Sequence, residues 1–204
     1  MEDRLLAQRE RRERVQEYKE TAAKSCYSLI IIVAALVLLR PVMVNQILGL
    51  ASAYSSVGLF DDSMRQCDKA LLLDGDSSGA WCQSARCYKA RGDRDMACGA
   101  YQKAVQADAS NRAANLELAV MYVEDGRYEL AIPCLEQVRR LGPEKATAAG
   151  SRGTSCHQAS LELLILCYEK VNETAKVEVA LKEARIFYPN STVAQNYSAP
   201  QLAQ

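Results

Sequence analysis

The chain has 204 residues, 25 basic against 25 acidic side chains, and 49% hydrophobic residues, which suits one globular domain with room for extra segments. Zero formal net charge, with no basic stripe beyond the N-terminus, excludes the usual electrostatic footprint of a nucleic-acid binder. The single histidine, His157, sits in a Gly/Ser-rich stretch, so neither a histidine-based zinc site nor histidine acid–base catalysis is expected.

Residues 1–24 carry seven Lys/Arg and six Asp/Glu with no Pro or Gly. Glu10/Arg14 and Glu20/Lys24 are spaced four apart with the acid first, which supports a helix. The segment has too few apolar residues to bury a face, so a solvated helix is expected, with a partner- or headgroup-contacting helix as the sharper reading. Its acids set it apart from a mitochondrial transit peptide.

Residues 25–43 follow as an apolar helix. Cys26 to Leu39 has Ser28 as its one clearly polar side chain, before Arg40 and Pro41. Fourteen residues of helix span roughly 21 Å, short of a hydrocarbon core of roughly 30 Å, but Ser25 to Val44 would suffice with Arg40 snorkelling to the interface. Pro41 should start a new helix or kink this one. Three readings compete: a cleaved signal peptide, a signal anchor or short transmembrane helix, and a helix buried in an assembly. The anchor fits best, with Leu29, Ile30, Ile31, Ile32, Val33, Leu36, Val37, Leu38 and Leu39 meeting lipid. Seven basic residues precede the run and only Arg40 closely follows it, which places the N-terminus on the cis side of a single-pass membrane protein.

Beyond the run the chain repeats itself every 34 residues. Tyr54, Tyr88 and Tyr122 are in register, as are Gly58, Gly92 and Gly126. So are Ala51, Ala85 and Ala119; Ser63, Ala97 and Ala131; and Ala70, Ala104 and Val138. Each unit reads as two amphipathic helices around a glycine turn, with small residues where the helices approach. One such unit cannot bury its apolar face, so neighbours should stack.

The pattern resembles the tetratricopeptide repeat family, whose characteristic positions Trp81, Ala85, Tyr88, Gly92, Ala97, Tyr101 and Ala104 occupy. The resemblance implies an all-α solenoid over residues 44–191, with repeats at 44–77, 78–111, 112–145 and 158–191. The fourth is degenerate and has Asn172 at the turn, a residue that tolerates the left-handed conformation. Residues 146–157, ATAAGSRGTSCH, read as a flexible insertion, and 192–204 as a tail with no clear apolar period, a poor cap for the last repeat. Pro133 should fall near a first helical turn, where it costs little.

The eight cysteines form no CxxC pair and are expected to be mostly reduced and buried. Cys67 and Cys134 are read as standing in for Tyr101, Cys82 and Cys98 as facing a groove or solvent, and Cys156 as exposed. Unpaired thiols suit a reducing or shielded site, which favours an organelle, the mitochondrial membrane first.

No nucleophile elbow, P-loop, dinucleotide-binding or zinc-protease motif occurs, so no enzyme, cofactor, metal or small-molecule substrate is expected. The resemblance implies a groove that binds protein subunits or peptide segments. One subgroup of the family clamps a chaperone's C-terminal carboxylate with Lys, Asn and Arg. Here the matching places hold Leu48, Ser52, Gln83, Ala113 and Glu117, so that clamp is missing. The groove would instead present Leu48, Cys82, Arg86, Lys89, Leu116, Val120, Val123, Glu162, Leu166 and Glu169: basic in repeat 2, apolar in repeat 3, acidic in repeat 4. Three Asn-x-Ser/Thr triplets, at Asn172, Asn190 and Asn196, would matter only in a secretory lumen. The expected role is an accessory or assembly subunit of a membrane complex, with a membrane-tethered receptor as the alternative.

Overall fold

The computed structural model describes residues 2–143 and 155–196, and every regular element among them is helical. In chain order these are α1 (Glu2–Ser56), α2 (Phe60–Leu73), α3 (Ser78–Arg91), α4 (Arg94–Ala107), α5 (Arg112–Glu124), α6 (Tyr128–Arg140), α7 (Cys156–Lys170), α8 (Thr174–Phe187) and α9 (Thr192–Asn196). The chain divides into two units, Met1–Gln46 and Ile47–Gln204.

In the first unit, helix runs on through the apolar stretch and through Pro41. No new helix starts there, although proline removes one backbone donor from the ladder. Leu29, Ile31, Val33, Leu36, Val37, Leu38 and Leu39 are all exposed, while the side chains of Ile30 and Ile32 lie outside the described residues. One helical stretch among the described residues, Val33–Ser56, is long and apolar enough to cross a membrane, with mean hydropathy 1.8. It overlaps the expected anchor over residues 33–43 and extends past it.

The second unit is built on the repeated turn. Gly58, Gly92, Gly126 and Asn172 adopt positive φ, and the residue after each donates its N–H to a tyrosine carbonyl five positions earlier. The four bonds are Leu59 to Tyr54 at 3.0 Å, Asp93 to Tyr88 at 3.0 Å, Arg127 to Tyr122 at 2.8 Å and Glu173 to Tyr168 at 2.8 Å. A left-handed residue at a helix end allows this closure, and it satisfies carbonyls that the helix leaves open. Without a Cβ, glycine adopts that conformation without strain, and asparagine adopts it at modest cost.

The small residues in register are the close-approach points. Ala51, Ala85, Ala97, Ala104, Ala119 and Ala131 have no exposed surface, nor does Val138. Ser63 replaces alanine in the first pair and is equally buried. Its hydroxyl donates to the Ala51 carbonyl at 2.8 Å, so the polar atom is satisfied inside the core. Between these points sit the large side chains, Tyr101, Leu135, Leu161, Leu164 and Tyr168 among them. Cys134 is half-buried and its neighbour Leu135 fills the place equivalent to Tyr101. Cys134 lies one residue before that place, so it does not stand in for Tyr101. Pro133 is the sixth residue of α6, in the second turn rather than the first, so it leaves the Glu129 carbonyl without its intrahelical donor.

Two expectations about the connections are corrected. The insertion does not extend to His157. Ser155 caps α7, its hydroxyl accepting from the Gln158 N–H at 3.0 Å, and His157 lies fully buried in the first turn. Residues 144–154, the rest of that expected loop, lie outside the described residues. The tail, for its part, begins with a docked turn of helix. Ser191 caps α9 through the Ala194 N–H at 3.1 Å, and Ala194 is buried.

Candidate partner-binding groove

The groove positions come from the first helix of each pair, because the repeat turns the same face of each such helix the same way. α5 packs directly against α7, and α3 is tied to α5 by the Lys89 ammonium, 2.8 Å from the Glu117 carboxylate. Both partners are partly exposed, so the pair adds little stability. Arg86 is exposed beside it, while Leu116, Val120 and Val123 on α5 are half-buried. On α7, Glu162 accepts the Gln158 amide at 3.0 Å, Leu166 is half-buried and Glu169 is exposed.

One of the sequence-chosen groove residues serves packing instead, and a second lies close against a neighbouring helix. Cys82 is buried, in the core cluster that holds Ala85, Tyr101 and Leu118, so it offers no surface to a partner. Leu48 is half-buried against α3: a Cβ added to Gly79 would stand 2.9 Å from its Cδ1. Gln83, one of the places matched to that clamp, is buried and donates to the Ser55 hydroxyl at 2.8 Å.

Cys67, Cys82, Cys87, Cys98, Cys134 and Cys167 are free thiols. Burial pushes Cys67 and Cys167 up to about 11, and it also raises Cys82, Cys98 and Cys134. Thiols held protonated in this way behave as small hydrophobes.

A polar network between α6, α7 and α8 was not legible as such in the sequence. Arg139 reaches Glu136 at 2.9 Å and Glu183 at 2.8 Å. His157 Nε2 lies 3.5 Å from Glu183, and its Nδ1 is 3.0 Å from the Tyr188 hydroxyl, which also accepts from Ser155 at 3.0 Å. Tyr168 donates to Glu136, and burial followed by that carboxylate pushes its phenol up. The network ties the fourth helix pair to the third. Its sequence signal was the Ser155-x-x-Gln158 capping pattern just ahead of an apolar run, which places His157 inside a helix.

An open depression of about 400 Å³ is lined by Gly75, Asp76, Trp81, Lys103, Gln106 and Ala107, none of them a predicted groove residue. Its wall is already engaged: the Trp81 indole donates to the Gly75 carbonyl at 3.1 Å, and Lys103 lies 4.3 Å above the ring.

The turn, the buried small residues and the paired helices recur from one 34-residue unit to the next. Residues 78–111, covering α3, α4 and their flanking turns, match the Tetratricopeptide repeat family. The chain folds as a tetratricopeptide-repeat solenoid. Among solved structures, PilF of Pseudomonas aeruginosa superposes with a TM-score of 0.59 at 20% identity, over 74% of this chain and 64% of that one. The solenoid thus spans less than two thirds of the PilF chain. YrrB, described as a TPR protein with an unusual peptide-binding site, gives a TM-score of 0.56 at 18% identity, over 70% of this chain and 68% of that one. MamA from Desulfovibrio magneticus gives 0.54 at 16% identity, over 72% and 77%. No curated protein matches at the level of sequence.

Proposed function

We propose that this protein is a non-catalytic interaction scaffold held at a membrane by its N-terminal helix, acting as an accessory or assembly subunit of a multi-subunit membrane complex. One observation carries the reading: Leu29, Ile31, Val33, Leu36, Val37, Leu38 and Leu39 are exposed on several sides of one helix, in a chain whose other unit is a repeat solenoid. A water-facing helix keeps one polar side, and an apolar surface of this kind marks contact with lipid or with other helices. The exposed faces of α3, α5 and α7 would hold a soluble subunit or a peptide segment, with Arg86 and Lys89 at one end, Leu116, Val120 and Val123 in the centre, and Glu162 and Glu169 at the other.

The test is purification of the tagged full-length chain in mild detergent, with the stoichiometry of everything that accompanies it. A fixed set of membrane subunits at constant ratio supports the subunit reading. A broad, substoichiometric set of clients replaces it with a tethered receptor. Recovery in the soluble fraction overturns the membrane placement in both.

A further inference from the structure

The inference that follows rests on the groove reading above and concerns what its repeat-2 end recognises. Tyr101 is fully buried on α4, and among the described residues its hydroxyl has no hydrogen-bond partner of normal geometry, the Arg86 guanidinium alone lying near enough to interact with it in that way. Leaving such a group unpaired is destabilising, and buried tyrosine hydroxyls usually find a partner. A phenylalanine would fill the same space without that cost. The groups facing the hydroxyl are Glu117, Cys82 and Arg86, which belong to α3 and α5. Burial, with Glu117 next, pushes the phenol up, so it keeps its proton and remains a donor.

The surroundings favour a particular acceptor. Arg86 is exposed and makes no ion pair among the described residues. Among the described residues Lys89 pairs with Glu117 alone, in a partly exposed pair that a competitor exchanges readily. Two cations against one carboxylate leave this end with a surplus positive charge, whereas Glu162 and Glu169 make the α7 end negative.

We propose that the α3/α5 end of the groove is a subsite for a carboxylate, the side chain of an Asp or Glu within a docked segment. Arg86 binds it as a two-pronged donor, Lys89 turns to it from Glu117, and Tyr101 donates from the floor as Arg86 shifts aside. A guanidinium fork matches a carboxylate in geometry as well as charge. An apolar side chain in that place would leave the hydroxyl without an acceptor, a neutral amide would accept from it but bring no charge to the two cations, and a basic one would be repelled by them. The acid belongs to the interior of the segment, because first helices flank the subsite on both sides, the Ile47–Ser56 part of α1 and then α5 onward to α7.

The experiment pans the full-length chain, in mild detergent, against phage-displayed random dodecapeptides whose C-termini are fused to coat protein, so no free terminal carboxylate competes. One enriched peptide is then made with an amidated C-terminus, and again with its acid replaced by the corresponding amide. An acidic position common to the enriched peptides is expected, and the amide replacement should weaken binding by about tenfold or more, the scale of a charge-assisted hydrogen bond. Arg86→Glu should weaken the same peptide by at least as much and shift a fresh selection toward basic residues. Tyr101→Phe should leave the melting temperature of the free chain unchanged or raise it, yet weaken the peptide by about threefold or more. Enriched peptides indifferent to their acid, or to both protein substitutions, overturn the subsite and leave the groove standing. A Tyr101→Phe chain that melts lower and binds as before shows the hydroxyl to be structural and overturns its role. A selection that enriches no peptide removes the groove and the subsite together.

Discussion

Leu38 and Leu135 are the same residue, each in the middle of a helix, yet Leu38 is 77% exposed and Leu135 not at all. The difference lies in what repeats around them. Leu135 sits in a unit whose small residues return every 34 positions, so that α5 and α7 both approach α6 and enclose its large side chains. Leu38 sits in a run of large apolar residues with no such spacing, and among the described residues no helix closes over it. Hydropathy marks both as non-aqueous. Only the register of small residues tells a face that folds against its own chain from one that needs lipid or a partner.

The comparison breaks most directly in the exposed run. Leu36→Arg with Leu38→Arg should release the protein from the membrane fraction, since each arginine near a helix centre costs about 2.5–3.5 kcal/mol of insertion, and carbonate extraction of membranes measures this. Solenoid melting should be unchanged in the same variant. Next in size, Leu135→Ala should lose about 2–5 kcal/mol in urea unfolding through the cavity it leaves, whereas Leu38→Ala should change that stability by less than about 0.5 kcal/mol. Equal losses would mean that the two regions share one core.

Smaller effects probe the turns and thiols. Gly92→Ala places a Cβ at φ 85° and should cost about 1–2 kcal/mol, while Asn172→Gly, already left-handed at φ 59°, should raise the melting temperature slightly. Cys67 and Cys167 are held protonated up to about 11, against an ordinary value of 9.0 for the thiol. The folded state therefore binds those protons more tightly than the unfolded one. Their contribution is complete below pH 9 and declines as pH rises towards 11, so the urea midpoint should fall over that window and recover part of the loss in Cys67→Ala. Smallest of all, Lys89→Ala should alter stability by no more than about 1 kcal/mol.

The turn glycines and buried alanines were legible in the sequence because close backbone approach and positive φ admit few residue types. The groove was legible only as a set of positions. Cys82 and Leu48 occupy groove positions by register, yet one joins the core and the other packs against Gly79, because short apolar side chains sink wherever a neighbouring helix leaves room. His157 was misplaced because composition dominated the reading, and the glycine and serine before it drowned the cap at Ser155. The placing of the Tyr101 hydroxyl close to Arg86 had no signal at all, since a tyrosine at that register reads simply as a large core residue.

By itself, then, the sequence determined the helix pairs, the left-handed turns that join them, and the apolar run that stands outside their period. These follow from local sterics and from spacing along one chain. Tertiary structure alone decided which groove residues stay at the surface, that Arg139, Glu183, His157 and Tyr188 form one network, and that Tyr101 ends beneath Arg86 and Glu117. Those outcomes depend on side chains roughly one repeat or more apart meeting in space, and the spacing of residue types does not encode how far each side chain reaches.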